Sequence, residues 1–406
     1  MKPVELSKNV FFLQVNDFNR KLFDSLIPLP EGTSYNSYLV KGQRATALLD
    51  TADPEKQAVL FDFLKDVKTL DYVVAHHAEQ DHSGSIPVVL QKYPMAKVVT
   101  NPKCKEFLMN HLHIPAEKFI EVKDQETLDL GGKTLQFIYT PWVHWPETMA
   151  TWLKEDRILF SCDFFGSHLA TGAVFSEQNV VHDPMKRYYA EIMMPFRTSI
   201  INNLEKIKGL DMAMIAPSHG PVHKGENVAF VTGLYKDWSS GPTKNNVLLA
   251  YVSMHGSTAI LVNRLASRLQ ERGIAVEKLN LEQFDEGRVA MALVDATTIV
   301  IGTPTVLTGP HPKAVYGAYL ANALRPKAKF VTVIGSFGWG GKAVEIIAGM
   351  IPNIKAEVLK PVMVKGLPVE ADLVLIDELA ALIAEKHKGL FGEAGGNLVK
   401  QAAGNR

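Results

Sequence analysis

Residues 76–84 read HHAEQDHSG, directly after an apolar run, DYVVA (71–75), with the composition and length of a strand. His77, Glu79, Asp81 and His82 place four metal-type ligands within six positions at the end of that strand, where a rigid frame can aim them. No Lys or Arg in the stretch neutralises the carboxylates, so the group would repel itself without a cation. Downstream, His144 sits in WVHWPE, Asp163 ends ILFSCD and His219 ends MIAPSHG. Each of these three alone reads most simply as a turn, cap or surface residue. With the cluster they make four imidazoles and three carboxylates, which is enough for two metal ions. A carboxylate such as Asp163 suits the bridging position between metals about 3.5–4 Å apart.

The 406 residues are too many for one ordinary core, and the 47% hydrophobic and 21% charged composition is that of globular domains. Lys plus Arg equals Asp plus Glu at 43 each, so no global charge draws the chain to nucleic acid or to an anionic membrane. The N-terminus lacks a secretory h-region and no apolar stretch of about 18 residues appears. With only Cys104 and Cys162, a disulfide framework is excluded and the reducing cytoplasm is the expected location.

Two halves follow different rules. Up to residue 244, short apolar strands such as YNSYLV (35–40), ATALLDT (45–51), KVVTN (97–101) and RILFSCD (157–163) alternate with turns. Helical periodicity appears in QAVLFDFLKDV (57–67) and AEIMMPFRTSIINNLEKIKG (190–209), giving a mixed sheet system with helices outside. A boundary is expected at SSGPTKNN (239–246). From 245 to 406 the pattern is regular βα alternation, as expected of a doubly wound parallel sheet covered on both faces. The tail, 390–406, reads as frayed.

In this second half three loops follow apolar strands. SMHGSTA (253–259) offers hydroxyls and a glycine at a helix N-terminus, a place that favours phosphate without Lys or Arg. It lacks the nucleotide triphosphatase and dinucleotide signatures, and Ser or Thr there also serves as an ordinary helix cap. GTPTVLTGP (302–310) and GSFGWGG (335–341) fall at strand carboxyl ends, where such folds bind ligands. The glycine-rich loop would let backbone approach a ring system, with Trp339 packed against it.

The order H-x-E-x-D-H, His, Asp, His resembles the metallo-β-lactamase superfamily, with Glu79 where the hallmark has histidine, and is similar to its redox branch, the flavodiiron proteins. The second half resembles flavodoxin. The resemblance implies a metallo-β-lactamase-like αββα sandwich (1–244) carrying two non-haem irons and a flavodoxin-like domain (245–406) carrying FMN. It implies His77, Glu79 and His144 on one iron, Asp81, His82 and His219 on the other, and Asp163 between them. His82 is the least secure of these. FMN would contact Ser253, Met254, His255, Gly256, Ser257 and Thr258 through its phosphate. Its ring would contact Thr303, Pro304, Thr305, Ser336, Phe337, Gly338, Trp339 and Gly340. His255 reads either as a loop residue or as a proton relay. Glu79, Asp163 and Tyr189 would be catalytic. Tyr189 and Trp145 are candidates for the substrate pocket, with core packing as the alternative.

The implied activity is reduction of dioxygen to water or of nitric oxide to nitrous oxide. The implied partners are an external donor, either a rubredoxin-like protein or reduced deazaflavin, and a second copy in a head-to-tail homodimer or dimer of dimers. No Cys-rich rubredoxin module is expected within the chain. Glu79 fits the redox reading, because a hard anionic oxygen favours ferric iron, whereas zinc hydrolases work well with neutral imidazoles. A dizinc hydrolase fused to a flavodoxin is the alternative, and an electron-transfer module with a structural metal site is a third reading.

Overall fold

A computed structural model describes residues 2–392, so residues 393–406 of the tail read as frayed lie outside the described residues. The chain divides into two compact units, Met1–Ser240 and Gly241–Arg406, with the division inside SSGPTKNN.

In the first unit, seven strands form one sheet in the order Val4–Ser7, Val10–Asp17, Thr33–Lys41, Thr46–Leu49, Tyr72–Val74, Lys97–Thr100 and Phe119–Glu121. Pairing is antiparallel as far as Thr46–Leu49 and parallel beyond it. A second sheet of six strands runs Thr127–Asp129, Thr134–Tyr139, Met149–Leu153, Ile158–Cys162, Met214–Pro217 and His223–Lys224. Alternation decides how the two sheets meet. Phe12, Val40, Leu49 and Val74 from the first sheet pack on Leu135, Phe137, Phe160 and Met214 from the second. Because successive side chains point to opposite faces, Ile138, Trp152, Leu159 and Ile215 are buried on the outer face of the second sheet.

On the outer face of the first sheet, Leu13, Leu48, Val73 and Val98 meet the helices Gln57–Phe63, Ile86–Lys92 and Pro102–Leu112. The helices Arg197–Ile207 and Glu226–Ser240 flank the second sheet, and Asn203 and Lys206 donate to the carbonyls of Pro141 and Tyr139. The result is an αββα sandwich. The expected helical run over 190–209 differs in detail. Tyr189–Met193 forms a π-helical turn, Met194–Phe196 a 3₁₀ turn, and the regular helix begins only at Arg197. Pro195 has no N–H to give the preceding turn, and its ring excludes regular helix there.

The second unit is a parallel sheet in the order Ala275–Asn280, Lys244–Tyr251, Ala296–Val306 and Phe330–Phe337. Both Glu357–Val358 and Val362–Lys365 pair with Phe330–Phe337. One face, with Val247, Leu249, Val300 and Ile334, packs on the helices Ser257–Gln270 and Glu370–Phe391. The other, with Leu248, Ala250, Ile299 and Ile301, meets Val289, Leu293, Ala314 and Ala321 from the helices Glu286–Asp295 and Pro312–Leu324. This is the doubly wound arrangement that the apolar runs imply.

Candidate metal centre

The loop HHAEQDHSG leaves strand Tyr72–Val74 and turns at once into a short helix, Gln80–Ser83. Several bonds pin it. The Asp50 carboxylate accepts from His76 N–H at 2.9 Å and from His76 Nδ1 at 2.7 Å, while His76 Nε2 meets Thr151 Oγ1 at 2.7 Å. His82 O accepts from Thr51 N–H and Oγ1–H at 2.7 and 2.6 Å. His76 therefore fastens the loop, and the four ligand-type residues after it, His77, Glu79, Asp81 and His82, face inward.

The seven expected ligands converge. His77 Nε2 and His144 Nε2 lie 3.0 and 3.1 Å from Glu79 Oε2, and each lies 3.5 Å from Asp163 Oδ2. His219 Nε2 lies 3.3 Å from both Asp81 Oδ2 and Asp163 Oδ1, and His82 Nε2 lies 3.1 Å from Asp163 Oδ1. Asp163 thus shows one oxygen to each half of the cluster. His82 turns its Nε2 to the same centre as the other three rings.

Four buried atoms of the cluster make no aligned hydrogen bond: Asp81 Oδ1 and Oδ2, His82 Nε2 and Asp163 Oδ2. Leaving such atoms without partners is costly, and cations at the centre would satisfy them. The electrostatics agree. Burial opposes ionisation of Glu79, but hydrogen bonds from His144 and His77 hold its carboxyl below the usual range. Asp163 is likewise buried and held well below that range by His82 and His219. Burial disfavours charge on His219, yet Asp163 and Asp81 push its proton affinity up to about 10. The cluster demands positive charge at its centre, whether from protons or metal.

The sequence reading missed several residues around this centre. Glu147, in the quoted WVHWPE, backs His77. Tyr188 donates to Asp163 Oδ1 at 2.9 Å. Its neighbour Tyr189, the expected pocket residue, packs against Tyr235 and Trp238 with its hydroxyl 3.2 Å from Ser239 Oγ. The packing alternative therefore describes Tyr189. Periodicity gave no signal here, since Tyr189 is itself fully buried and stands four residues after Met185 on the stripe of Val181, Pro184 and Tyr188. Trp145 stands edge-on to His77 at 4.9 Å. Buried His168 lies 5.2 Å from the His219 ring and is held neutral, chiefly by burial.

In the second unit, Ser253, Met254, His255, Ser257, Thr258, Pro304, Thr305, Ser336, Phe337 and Gly338 line one pocket at the strand carboxyl ends, joined by Gly366. Gly256 precedes the helix Ser257–Gln270 at φ +87°, a conformation that favours glycine. Helix N–H groups and the Ser257 and Thr258 side chains stand where they could hold a phosphate without Lys or Arg. Thr305 Oγ1 is buried and without a hydrogen bond, a polar atom suited to a ligand in this pocket. Gly256, Thr303, Trp339 and Gly340 do not line it. The Thr303 hydroxyl serves its own loop, accepting from His311 N–H, and Trp339 is 78% exposed.

A metallo-β-lactamase-like sandwich bearing a carboxylate-rich two-metal cluster, with a flavodoxin-like unit on the same chain, defines a class of redox protein. Residues 33–220 match the ODP family beta lactamase model. The chain is 31% identical to a nitric oxide reductase of Moorella thermoacetica, covering 88% of this chain and 92% of that one. It is also 31% identical to flavo-diiron protein FprA2 of Clostridium acetobutylicum, covering 89% and 93%. The solved structure of rubredoxin oxygen:oxidoreductase from Desulfovibrio gigas superposes with a TM-score of 0.93 at 28% identity, over 96% of this chain and 100% of that one. The chain belongs to the flavodiiron protein family.

Proposed function

We propose that this chain is a flavodiiron oxidoreductase reducing dioxygen to water, nitric oxide to nitrous oxide, or both, with electrons relayed through FMN. The observation that carries the reading is Asp163, set between two groups of ligands that each contain a further carboxylate. His77, Glu79 and His144 would hold one iron, Asp81, His82 and His219 the other, and Asp163 both. When bound, the iron pair and FMN supply the one- and two-electron steps that side chains cannot.

The protein's own contribution is orientation and proton placement. His219 Nδ1–H donates to Ser34 O at 2.7 Å, which makes Nε2 the nitrogen that would face a metal. Tyr188 keeps its proton, because burial and the Asp163 charge raise its proton affinity. It therefore donates a hydrogen bond to the shared carboxylate at 2.9 Å. Three carboxylates offset most of the charge of two divalent ions, a donor set that favours iron over the dizinc hydrolase alternative.

Further proposals rest on the family. The electron donor is a rubredoxin-like protein or reduced deazaflavin. The working unit is a head-to-tail homodimer or dimer of dimers, in which the FMN of one chain serves the irons of another. The location is the cytoplasm; among the described residues no helix is long and apolar enough to cross a membrane. The test is anaerobic reduction of the iron- and FMN-loaded protein, followed by turnover with each gas separately. Consumption of neither gas at a catalytic rate overturns the reading, and a fully active monomer in sedimentation overturns the dimer.

A further inference from the structure

Glu147 stands outside the ligand set, yet its side chain has no exposed surface. Its Oε1 accepts two hydrogen bonds, from His77 Nδ1–H at 2.8 Å and from the Ala78 main-chain N–H at 3.1 Å. The residue is itself anchored, since Asn101 Nδ2 donates to its carbonyl at 2.5 Å. Asn101 in turn caps the helix Pro102–Leu112 by accepting from Cys104 N–H at 2.9 Å. A carboxylate can only accept from the ring, so His77 carries a proton on Nδ1, and Nε2 is the nitrogen that would face a metal.

The two halves of the centre are therefore unlike. His77 leans on a buried carboxylate, whereas His219 leans on the neutral carbonyl of Ser34. Glu79 and Asp81 supply one carboxylate to each half and Asp163 is shared. Glu147 is thus a negative charge bonded directly to a ring of one half, whereas the buried Asp50 carboxylate near His82 is engaged by His76 instead. In a buried site such a charge is weakly screened and favours whichever ion carries more positive charge.

Resting on the diiron reading above, we infer that Glu147 is a positioning residue that locks the His77 ring and makes the His77 half the one that holds ferric iron more tightly. Glu147→Gln keeps an oxygen for both donors and removes the charge; Glu147→Ala removes both; Glu147→Asp keeps the charge at shorter reach. Wild type and variants are loaded with ⁵⁷Fe(II) anaerobically, and binding is measured by chelator competition. A redox titration followed by Mössbauer spectroscopy then resolves the two irons.

Glu147→Ala is expected to weaken iron binding roughly 10–100-fold. Glu147→Gln is expected to lower the ferric-over-ferrous preference of one iron about tenfold, an upward shift of about 59 mV for a one-electron couple, and to leave the other iron in place. Glu147→Asp should bind iron less tightly with unchanged potentials, which keeps the inference testable if the alanine variant does not fold. Unchanged potentials in Glu147→Gln, equal shifts of both irons, or a Gln-like shift in Glu147→Asp overturn it. A wild-type protein that binds no iron would instead overturn the diiron reading on which it rests.

Discussion

Asp163 and Tyr188 show how much chemistry one position in the chain decides. The Tyr188 hydroxyl takes one lone pair of the carboxylate oxygen that faces His82 and His219, so it fixes the tilt of the shared ligand. Tyr188→Phe is expected to lower iron affinity and turnover roughly 10-fold, as loss of a partner behind a ligand does. Tyr189→Phe should leave both unchanged and reduce stability by about 1 kcal/mol through its lost bond to Ser239. Iron stoichiometry, turnover and melting of the two variants check this together. Glu79 makes a second case. Its oxygen meets both His77 and His144, and Glu79→His would replace a hard anionic donor by a neutral one. Protein produced with both metals available should then bind a higher zinc-to-iron ratio, and an unchanged ratio would count against the role given to this side chain.

Strand ends made much of the site legible in advance. Ligands after Tyr72–Val74, Ile158–Cys162 and Met214–Pro217 could be read because the apolar run, the turn and the ligand are contiguous in sequence. The pinning partners were less legible. Asp50 joins His76, and Ser34 joins His219, only once the sheet registers bring them together. The loop that carries Asp163 has such a partner in His223, whose Nε2–H donates to Phe165 O at 3.0 Å while Nδ1 accepts from Ser176 at 2.9 Å. Burial pushes its proton affinity down to about 4, below the usual value of 6.5. The unfolded chain therefore binds this proton first as pH falls. The stabilisation is complete above about pH 6.5 and is lost progressively down to about pH 4, by up to about 3 kcal/mol. Urea unfolding near pH 7 and near pH 5 should show the drop, and His223→Gln should flatten it. His387, also pushed down to about 4 by burial, adds a fall in the same window from the second unit.

At the scale of the whole molecule, the two compact units hold different cofactor sites, so each ligand should stabilise its own unit. FMN at about 100 times its dissociation constant should stabilise the second unit by about 2.7 kcal/mol, and an iron chelator should destabilise only the first. Scanning calorimetry showing both ligands acting on one transition would contradict this separation. The division into two halves was legible because short apolar strands set between turns give way to regular βα alternation, whereas the π-helical turn at Tyr189–Met193 depends on packing that no local pattern records.

The His76 fastening has a consequence at this same scale. Asp50 and His76 follow strands of the first sheet, and Thr151 belongs to a strand of the second, so one imidazole is riveted to both layers of the sandwich. Any slide of one layer over the other would drag the backbone of His77 with it. Sliding of the two layers is thereby resisted at the ligand-bearing rim of the sandwich.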